Sequence, residues 1–326
     1  MRALIIDPFA GISGDMFLGA LVDLGLSEAW LRSYIDSLGL DVGLTVEQVD
    51  RSGIACTRVA LQIPEEAHHR HLADVLKIVR TSGAAEPVRS TAEAVFRRLA
   101  EAEAAVHGVP VEAVHFHEVG ALDSIVDVLA VIAGVREMGF EACYTRPVAV
   151  GSGTVDMGHG TYPLPAPATA RLLQGVVVRE TEYPEECTTP TGAALVRELT
   201  GGRRPPVEVT YGASGFGAGS RNPERRANCL RLLECRVAGE AGGEGTGREA
   251  VYALQADVDD LAPEYLAGAR ARLMAAGALD VAVLRVDMKK GRPGTRLEAL
   301  ATASTMDRVV AAFFAATTTI GLRYWP

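Results

Sequence analysis

The chain of 326 residues lacks the features that mark membrane and secreted proteins. It has no apolar run of about 18 residues, so we expect no transmembrane helix. The apolar run at the N-terminus is too short for a signal peptide and has no small-residue cleavage site. The five cysteines are scattered and form no CxxC pair, which indicates neither a disulfide framework nor a thiolate zinc site. We therefore expect a cytoplasmic protein.

An excess of basic residues is also absent. There are 32 Lys and Arg against 41 Asp and Glu, for a net charge of −9. A general nucleic-acid binder usually presents a basic face, so we expect no DNA or RNA partner. The length suffices for two or three domains with a large buried core. A soluble protein that acts on a small molecule fits this composition.

One glycine-rich stretch, GEAGGEGTG at residues 239–247, has the composition of a flexible linker. It predicts a longer N-terminal domain at 1–238, a linker at 239–248 and a second domain at 249–326. In the second domain, strands are expected at residues 252–257, 281–288, 296–302 and 320–325, with helices at 263–276 and 305–317. This βαββαβ order is that of a ferredoxin-like unit. The chain then stops without a polar tail, and we expect it to be a truncated product.

The N-terminal domain alternates strand-like and helix-like patterns. Helices are expected at residues 15–24, 72–80, 88–107, 124–138 and 190–199, and strands at 3–6, 45–49, 55–62 and 113–116. Ser13 is expected to cap the first helix. The predicted fold class is α+β, with a larger mixed α/β domain followed by the ferredoxin-like unit.

A glycine-containing turn between Asp7 and Asp15 is the first candidate site. Its backbone N–H groups could hold a phosphate, and the two carboxylates could hold a metal. An ordinary strand–turn–helix with a capping serine explains the same pattern, and the turn matches no standard phosphate-loop motif.

Histidines form the second candidate. Two stretches combine histidine with carboxylates, although the chain has only seven histidines. The residues are His68, His69 and His71, and then His115, His117 and Glu118, followed by Asp123 and Asp127 at i, i+4 spacing. Imidazole suits nickel, zinc, copper and iron. A solvated loop and a capped helix remain the alternatives, and His159, in a glycine-dense loop, is either a further ligand or acid/base or a turn residue.

Acidic and basic residues of the second domain form the third candidate. The carboxylates are Asp257, Asp259 and Asp260, and the cations are Lys289, Lys290 and Arg292. Such carboxylates could hold Mg²⁺ or Mn²⁺ while the cations hold the phosphates of a nucleotide. Helix-capping aspartates beside a solvated basic hairpin are the alternative.

Taken together, these strings resemble the LarC family of nickel-insertion proteins. The matching strings are DPFAGISGDMFLGALVDLG at 7–25, HHRHL at 68–72, HFHEVGALDSIVD at 115–127, GSGTVDMGHGTYPLPAPAT at 151–169, TPTGAAL at 189–195, GFGAGSR at 215–221, DVDDLAPE at 257–264 and DMKKGRPGT at 287–295. The resemblance implies a CTP-dependent nickel chelatase, a metal-inserting lyase. Its substrate would be a pyridinium-3,5-bisthiocarboxylic acid mononucleotide, and its product the nickel-pincer cofactor of lactate racemase and its relatives.

On this hypothesis the histidine stretches, with Glu118 and His159, bind or pass on nickel. The three aspartates of the second domain hold the Mg²⁺ or Mn²⁺ that accompanies CTP, and apo lactate racemase receives the product. The resemblance implies a second domain that continues beyond the TIGLRY segment at 319–324, where this chain ends. The histidine tract of this chain is short for a bulk nickel store. A non-catalytic nickel store or metallochaperone and a metal-dependent nucleotidyltransferase or nucleotide hydrolase are the rival hypotheses. A homo-oligomer is a further expectation.

Overall fold

The computed structural model describes residues 1–63, 70–116, 120–157, 160–224, 226–237 and 251–325, without the side chains of Met157 and Lys290. The chain forms two compact units, Met1–Ala238 and Gly239–Pro326. The expected linker at 239–248 lies outside the described residues. Mixed α and β structure confirms the predicted fold class.

A six-stranded sheet is the main sheet of the first unit. Its strands are β1 (Arg2–Asp7), β2 (Gly43–Arg51), β3 (Ile54–Gln62), β6 (Ala142–Thr145), β11 (Val209–Ala218) and β12 (Cys229–Val237), in the order β2-β3-β11-β12-β1-β6. The pairs β1–β6 and β3–β11 are parallel and the others are antiparallel. Smaller ribbons pair β4 (Arg70–His71) with β5 (His115–Phe116), β7 (Val148–Val150) with β10 (Val178–Glu180), and β8 (Thr154–Met157) with β9 (Gly160–Pro163).

Helices of the first unit pack into one large core. They are α1 (Gly14–Leu24), α2 (Glu28–Ser37), α3 (Leu72–Thr81), α4 (Glu86–His107), α5 (Leu122–Glu137), α6 (Pro167–Leu172) and α7 (Pro190–Thr200). Helix α5 is apolar around most of its circumference, and all its residues from Ile125 to Val135 except Asp127 are buried. A helix of that composition belongs in the centre of a core, which explains its contacts with α1, α2, α3, α4 and α7.

Glycines let α1 approach the sheet closely. A Cβ on Gly217 of β11 would overlap the backbone of Met16 and Ala20, and one on Gly215 would overlap Ala20 and Leu24. On the helix side, a Cβ on Gly19 would overlap the carbonyl of Thr57. Helix backbone therefore rests on strand backbone, and this contact fixes the position of the helix N-terminus that begins after Ser13.

The second unit has the predicted order βαββαβ. Strands β13 (Val251–Val258), β14 (Asp280–Met288), β15 (Arg292–Thr302) and β16 (Arg323–Trp325) lie in the order β14-β15-β13-β16, with helices α8 (Pro263–Ala275) and α9 (Met306–Ala316). This is the strand order of a ferredoxin-like sheet. Leu254, Leu273 and Phe313 are fully buried in its core.

The connection between β14 and β15 is shorter than the gap between the strands predicted at residues 281–288 and 296–302. Met288 already pairs with Arg292, so the connection is the 3-10 turn Lys289–Gly291. Gly291 has φ 68°, a left-handed conformation that glycine adopts at little cost, and this closes the turn in three residues. Within the described residues, no helix is long and apolar enough to cross a membrane.

Candidate metal centre

His71 and His115 face each other on the short ribbon of β4 and β5, which we call the histidine ribbon. They are directly paired in its register, and their rings lie 3.9 Å apart between centroids at an angle of 46°. Sequence spacing had suggested His115 with His117, not His71 with His115. The contact joins two strands more than forty residues apart, so only the tertiary fold could supply it.

The ribbon is held by buried neighbours. Val114, Phe116 and Leu72 are buried. Arg70 donates through Nη1 to the carbonyl of Gly120 at 2.9 Å, which ties the ribbon to the start of α5. A fixed support of this kind keeps two imidazoles in one geometry without a bound ligand.

Backbone hydrogen bonds orient the ring of His71. Its Nδ1 lies 3.1 Å from the carbonyl oxygen of Val114, which can only accept. The His71 side chain also accepts from the backbone N–H of Asp74 in the capping box of α3. An imidazole oriented through its second nitrogen is the usual arrangement of a metal-binding histidine. His115 is exposed, and its ring is open to an incoming ion.

The other predicted nickel ligands cannot be placed. His68, His69, His117, Glu118 and His159 lie outside the described residues. Within the described part of the chain, no group of three or more His, Cys, Asp or Glu side chains is arranged to hold a metal ion. The histidine ribbon supplies two nitrogen donors, and its complete ligand set stays a prediction.

A second cluster, the carboxylate pair Asp15 and Asp127, lies at the N-terminus of α1. Gly14 makes room for it, because a Cβ there would overlap the carboxylate of Asp127. Asp15 Oδ1 accepts from the Ser13 hydroxyl and from the Met16 N–H, the latter at 2.8 Å. Ser13 stands at the expected N-cap position, but its side chain does not cap the helix, because its hydroxyl is committed to Asp15.

Asp127 is the more perturbed member of the pair. Its Oδ1 is buried and has no hydrogen-bond partner in the part of the chain that the structure describes. Burial raises the pKa of Asp127 well above its usual range, and the charges of Asp15 and Asp123 raise it further. Burial also raises the pKa of Asp15, against the hydrogen bonds from Ser13 and Met16. Two such carboxylates gain stability from a shared proton or from a cation.

Asp7 does not join this pair. It is buried at the end of β1, where Arg231 Nε lies 3.0 Å and Arg146 Nη1 lies 3.3 Å from its Oδ2. Two guanidinium groups already neutralise this carboxylate. The structure therefore separates Asp7 from Asp15, which the sequence had suggested as joint ligands, and gives Asp7 the environment of an ion pair.

A further polar cluster beside the glycine turn was missed by sequence reasoning. Arg226 is buried, stacks over the ring of Tyr183 at 4.2 Å, pairs with Glu185 and donates to Cys187 Sγ at 3.1 Å. Gly11 packs directly on the backbone of Cys187. No short motif contains these residues, so only their assembly in the fold identifies the cluster.

The cysteines give no thiolate site. All five are buried and reduced. Burial raises the pKa of Cys143 to about 11 and that of Cys229 to about 12, so neither ionises readily near neutral pH.

In the second unit, the three predicted aspartates have different partners. Asp257 binds Arg296 across the strand pair at 2.7 and 3.0 Å, and this hydrogen-bonded guanidinium lowers the pKa of Asp257. Asp260 accepts from the Thr318 hydroxyl. Asp257 and Asp260 therefore have hydrogen-bond partners within the protein.

The predicted pairing of acids with the basic turn is present at one point. Arg292 Nη1 lies 3.4 Å from Asp259 Oδ2. Lys289 is exposed, and the side chain of Lys290 lies outside the described part. The acidic strand end and the basic turn thus meet.

These features define a two-unit α+β protein with a paired-histidine ribbon and a buried carboxylate pair in its first unit. The sequence model of the nickel insertion protein family matches residues 4–326. The chain therefore belongs to that family, which confirms the resemblance found in the sequence.

Two relatives carry the name pyridinium-3,5-bisthiocarboxylic acid mononucleotide nickel insertion protein. One, from a Nocardioides species, is 44% identical over 327 residues that cover 100% of this chain and 81% of the relative. The other, from Geobacillus kaustophilus, is 38% identical over 338 residues, covering 99% of this chain and 82% of the relative.

A solved structure also matches part of the chain. It is LarC2, the C-terminal domain of a cyclometallase involved in the synthesis of the NPN cofactor of lactate racemase, in its apo form. Identity is 37%, the TM-score is 0.23, and the match covers 23% of this chain and 52% of that one. A TM-score of this size carries no inference about the fold.

Proposed function

We propose that this chain inserts nickel into a pyridinium-3,5-bisthiocarboxylic acid mononucleotide, giving the nickel-pincer cofactor of lactate racemase, in a CTP-dependent reaction. The observation that carries the proposal is the 44% identity, across the whole chain, to a relative named for insertion of nickel into this mononucleotide. The enzyme would be a nickel chelatase that hands its product to apo lactate racemase or a relative.

The histidine ribbon supports the nickel step. His71 and His115 offer borderline nitrogen donors, which bind Ni²⁺ with moderate affinity. The sulfur atoms of the two thiocarboxylates are softer donors and bind Ni²⁺ well, so the substrate can draw the ion from the protein. His68, His69, His117, Glu118 and His159 would complete or feed this site.

The second unit supports the nucleotide step. Asp257, Asp259 and Asp260 offer carboxylate oxygens of the type that Mg²⁺ and Mn²⁺ prefer, and Lys289, Lys290 and Arg292 offer donors for phosphate. Asp257 would have to exchange its bond with Arg296 for the cation, so Asp259 and Asp260 are the more accessible ligands. The phosphate of the mononucleotide would attack the α-phosphorus of CTP, forming a phosphoanhydride and releasing pyrophosphate, and this reaction would drive the transfer.

The test is nickel loading of the bisthiocarboxylate mononucleotide by the purified chain, with and without CTP. We expect stoichiometric loading only when CTP and Mg²⁺ or Mn²⁺ are present. Equal loading without CTP would contradict the proposed coupling to CTP. The absence of loading under every condition would contradict the proposed activity.

Nickel storage without catalysis is the second candidate, because paired imidazoles also suit a metallochaperone. It predicts that the substitutions Lys289→Gln and Arg292→Gln leave nickel binding and release unchanged, with no response to CTP.

A further inference from the structure

A cavity of about 230 Å³ lies between α4, α6 and α7 of the first unit, apart from the histidine ribbon and the carboxylate pair. Three guanidinium groups line it, from Arg98, Arg171 and Arg197, together with Glu101 and Gln174. We call it the arginine cavity. Such a concentration of positive charge is unexpected on a chain with a net charge of −9.

The donors of this cavity are largely unused. Each guanidinium carries five N–H groups. Within the described residues, Arg98 donates to Glu198 at 3.2 Å and its Nε is buried without a partner. Arg171 reaches only the carbonyl of Ala105, at 3.5 Å. The Arg197 guanidinium lies beside Gly175 and Gly202 and has no hydrogen-bond partner in that part of the chain.

Helix dipoles explain only part of this arrangement. Arg171 and Arg197 lie in the last turns of α6 and α7, where the dipole stabilises a cation. Arg98 lies in the middle of α4, where no such effect operates. Two nearby carboxylates, on Glu101 and Glu198, leave an excess of positive charge among the three arginines. Bringing three like charges together is unfavourable unless an anion joins them.

We propose that the arginine cavity binds the phosphate group of a nucleotide. Planar guanidinium groups bind phosphate in a bidentate manner, and several converging arginines are the usual arrangement for that ligand. A phosphate monoester carries a charge of about −1.5 to −2 at pH 7, and the one positive charge that the three arginines hold in excess of Glu101 and Glu198 offsets part of it. Leu172, Ala102 and Ala105 form an apolar wall of the cavity beside the arginines.

Two nucleotides share this chemistry, and binding assays distinguish them. The probes are nicotinic acid mononucleotide, a phosphate monoester, and CTP, a triphosphate, each titrated into the intact chain by calorimetry without nickel. The test variant is Arg171→Gln/Arg197→Gln. The control is Arg32→Gln/Arg89→Gln, which makes the same charge change at two arginines outside the cavity that pair with Glu28 and Glu86.

We expect the test variant to weaken binding of one probe by roughly 10-fold or more, as loss of hydrogen bonds to a charged group requires, while the control changes it little. Loss for the mononucleotide alone assigns the cavity to the substrate phosphate, and loss for CTP alone assigns it to the triphosphate. Unchanged binding of both probes, or an equal loss in the control, overturns the proposal. Because nickel is absent, the result does not depend on the proposed chelatase activity. Matching thermal unfolding of both variants shows that the fold is intact.

Discussion

At the scale of single residues, Asp127 has an unfavourable environment for its charge. Its carboxylate is buried, one oxygen lacks a partner in the described structure, and Asp15 and Asp123 add negative charge nearby. The pKa of this group is therefore raised in the folded chain. The folded state holds a proton that the unfolded chain releases, so folding loses stability as the pH rises.

The first prediction concerns the stability of Asp127→Asn, measured by thermal unfolding with EDTA between pH 4 and pH 8. Below the usual aspartate pKa of about 4, Asp127 is protonated in both the folded and the unfolded chain and does not lower the free energy of unfolding. As the pH rises from there to the pKa of the folded state, the group lowers the free energy of unfolding progressively. We expect the variant to be more stable than the parent at pH 8, by about 1 kcal/mol or roughly 2–4 °C, with the gain disappearing towards pH 4.

Asp36→Asn is the control, because Asp36 is an exposed aspartate on α2. If Asp127→Asn lowered stability at pH 8, or if its gain were the same at every pH, the buried carboxylate would not carry an unfavourable charge.

The second prediction concerns nickel affinity. Replacing His115 by Ala removes one nitrogen donor from an exposed position and should leave the fold intact. We expect the dissociation constant for Ni²⁺, measured by equilibrium dialysis, to rise roughly 10-fold or more, and His71→Ala to have a similar effect. His107→Ala, at the end of α4, should not change it. Unchanged Ni²⁺ affinity in both ribbon variants would show that the histidine ribbon is not part of the nickel site.

Residue types were predictable here, but their contacts were not. The histidines and Asp15, Asp123 and Asp127 could be identified from the sequence because imidazoles and carboxylates in clusters suggest metal chemistry. The pairing of His71 with His115, and of Asp15 with Asp127, depends on contacts between distant segments. Arg226 and the arginine cavity belong to no motif, so nothing in the local sequence indicated them.

At the scale of elements, the contact between α1 and β11 positions the carboxylate pair. Gly217 allows this contact, because any side chain there would meet the helix backbone, which cannot move away as a flexible side chain could. The third prediction is that Gly217→Ala lowers the free energy of unfolding by about 3 kcal/mol, measured by urea denaturation.

Gly268→Ala provides the matched control within a helix. Nothing lies within 4 Å of a Cβ at this position of α8. Alanine is a better helix former than glycine, so this change should be neutral or should stabilise the chain by up to about 1 kcal/mol. Equal stability of Gly217→Ala and the parent would show that α1 does not rest on β11 as described.

Helices were the most predictable elements. Helix α4 was expected at residues 88–107 and spans Glu86–His107, and α7 was expected at 190–199 and spans Pro190–Thr200. Apolar periodicity and proline or glycine at the ends marked them. The order of the six-stranded sheet could not be predicted, because β1 pairs with β6 and β12, far along the chain. Only side-chain packing across the whole unit selects those partners.

At the scale of the whole molecule, the proposal divides two tasks between two units. Nickel would be held in Met1–Ala238, and CTP with its cation in Gly239–Pro326. The fourth prediction is that Asp259→Asn/Arg292→Gln weakens CTP binding, measured by calorimetry with Mg²⁺, by roughly 10-fold, since it removes charged partners of the cation and the phosphates. Ni²⁺ affinity should stay unchanged. Parallel losses of both affinities would contradict this division.

The most direct test of the account is transfer of one equivalent of nickel from the loaded chain to the bisthiocarboxylate mononucleotide, followed by mass spectrometry of the small-molecule product. With CTP and Mg²⁺ or Mn²⁺, the account predicts a nickel-containing mononucleotide that activates apo lactate racemase. Without CTP, it predicts no product above background. Nickel that stays on the protein in both conditions, or a product formed equally without CTP, would contradict the proposed CTP-dependent insertion.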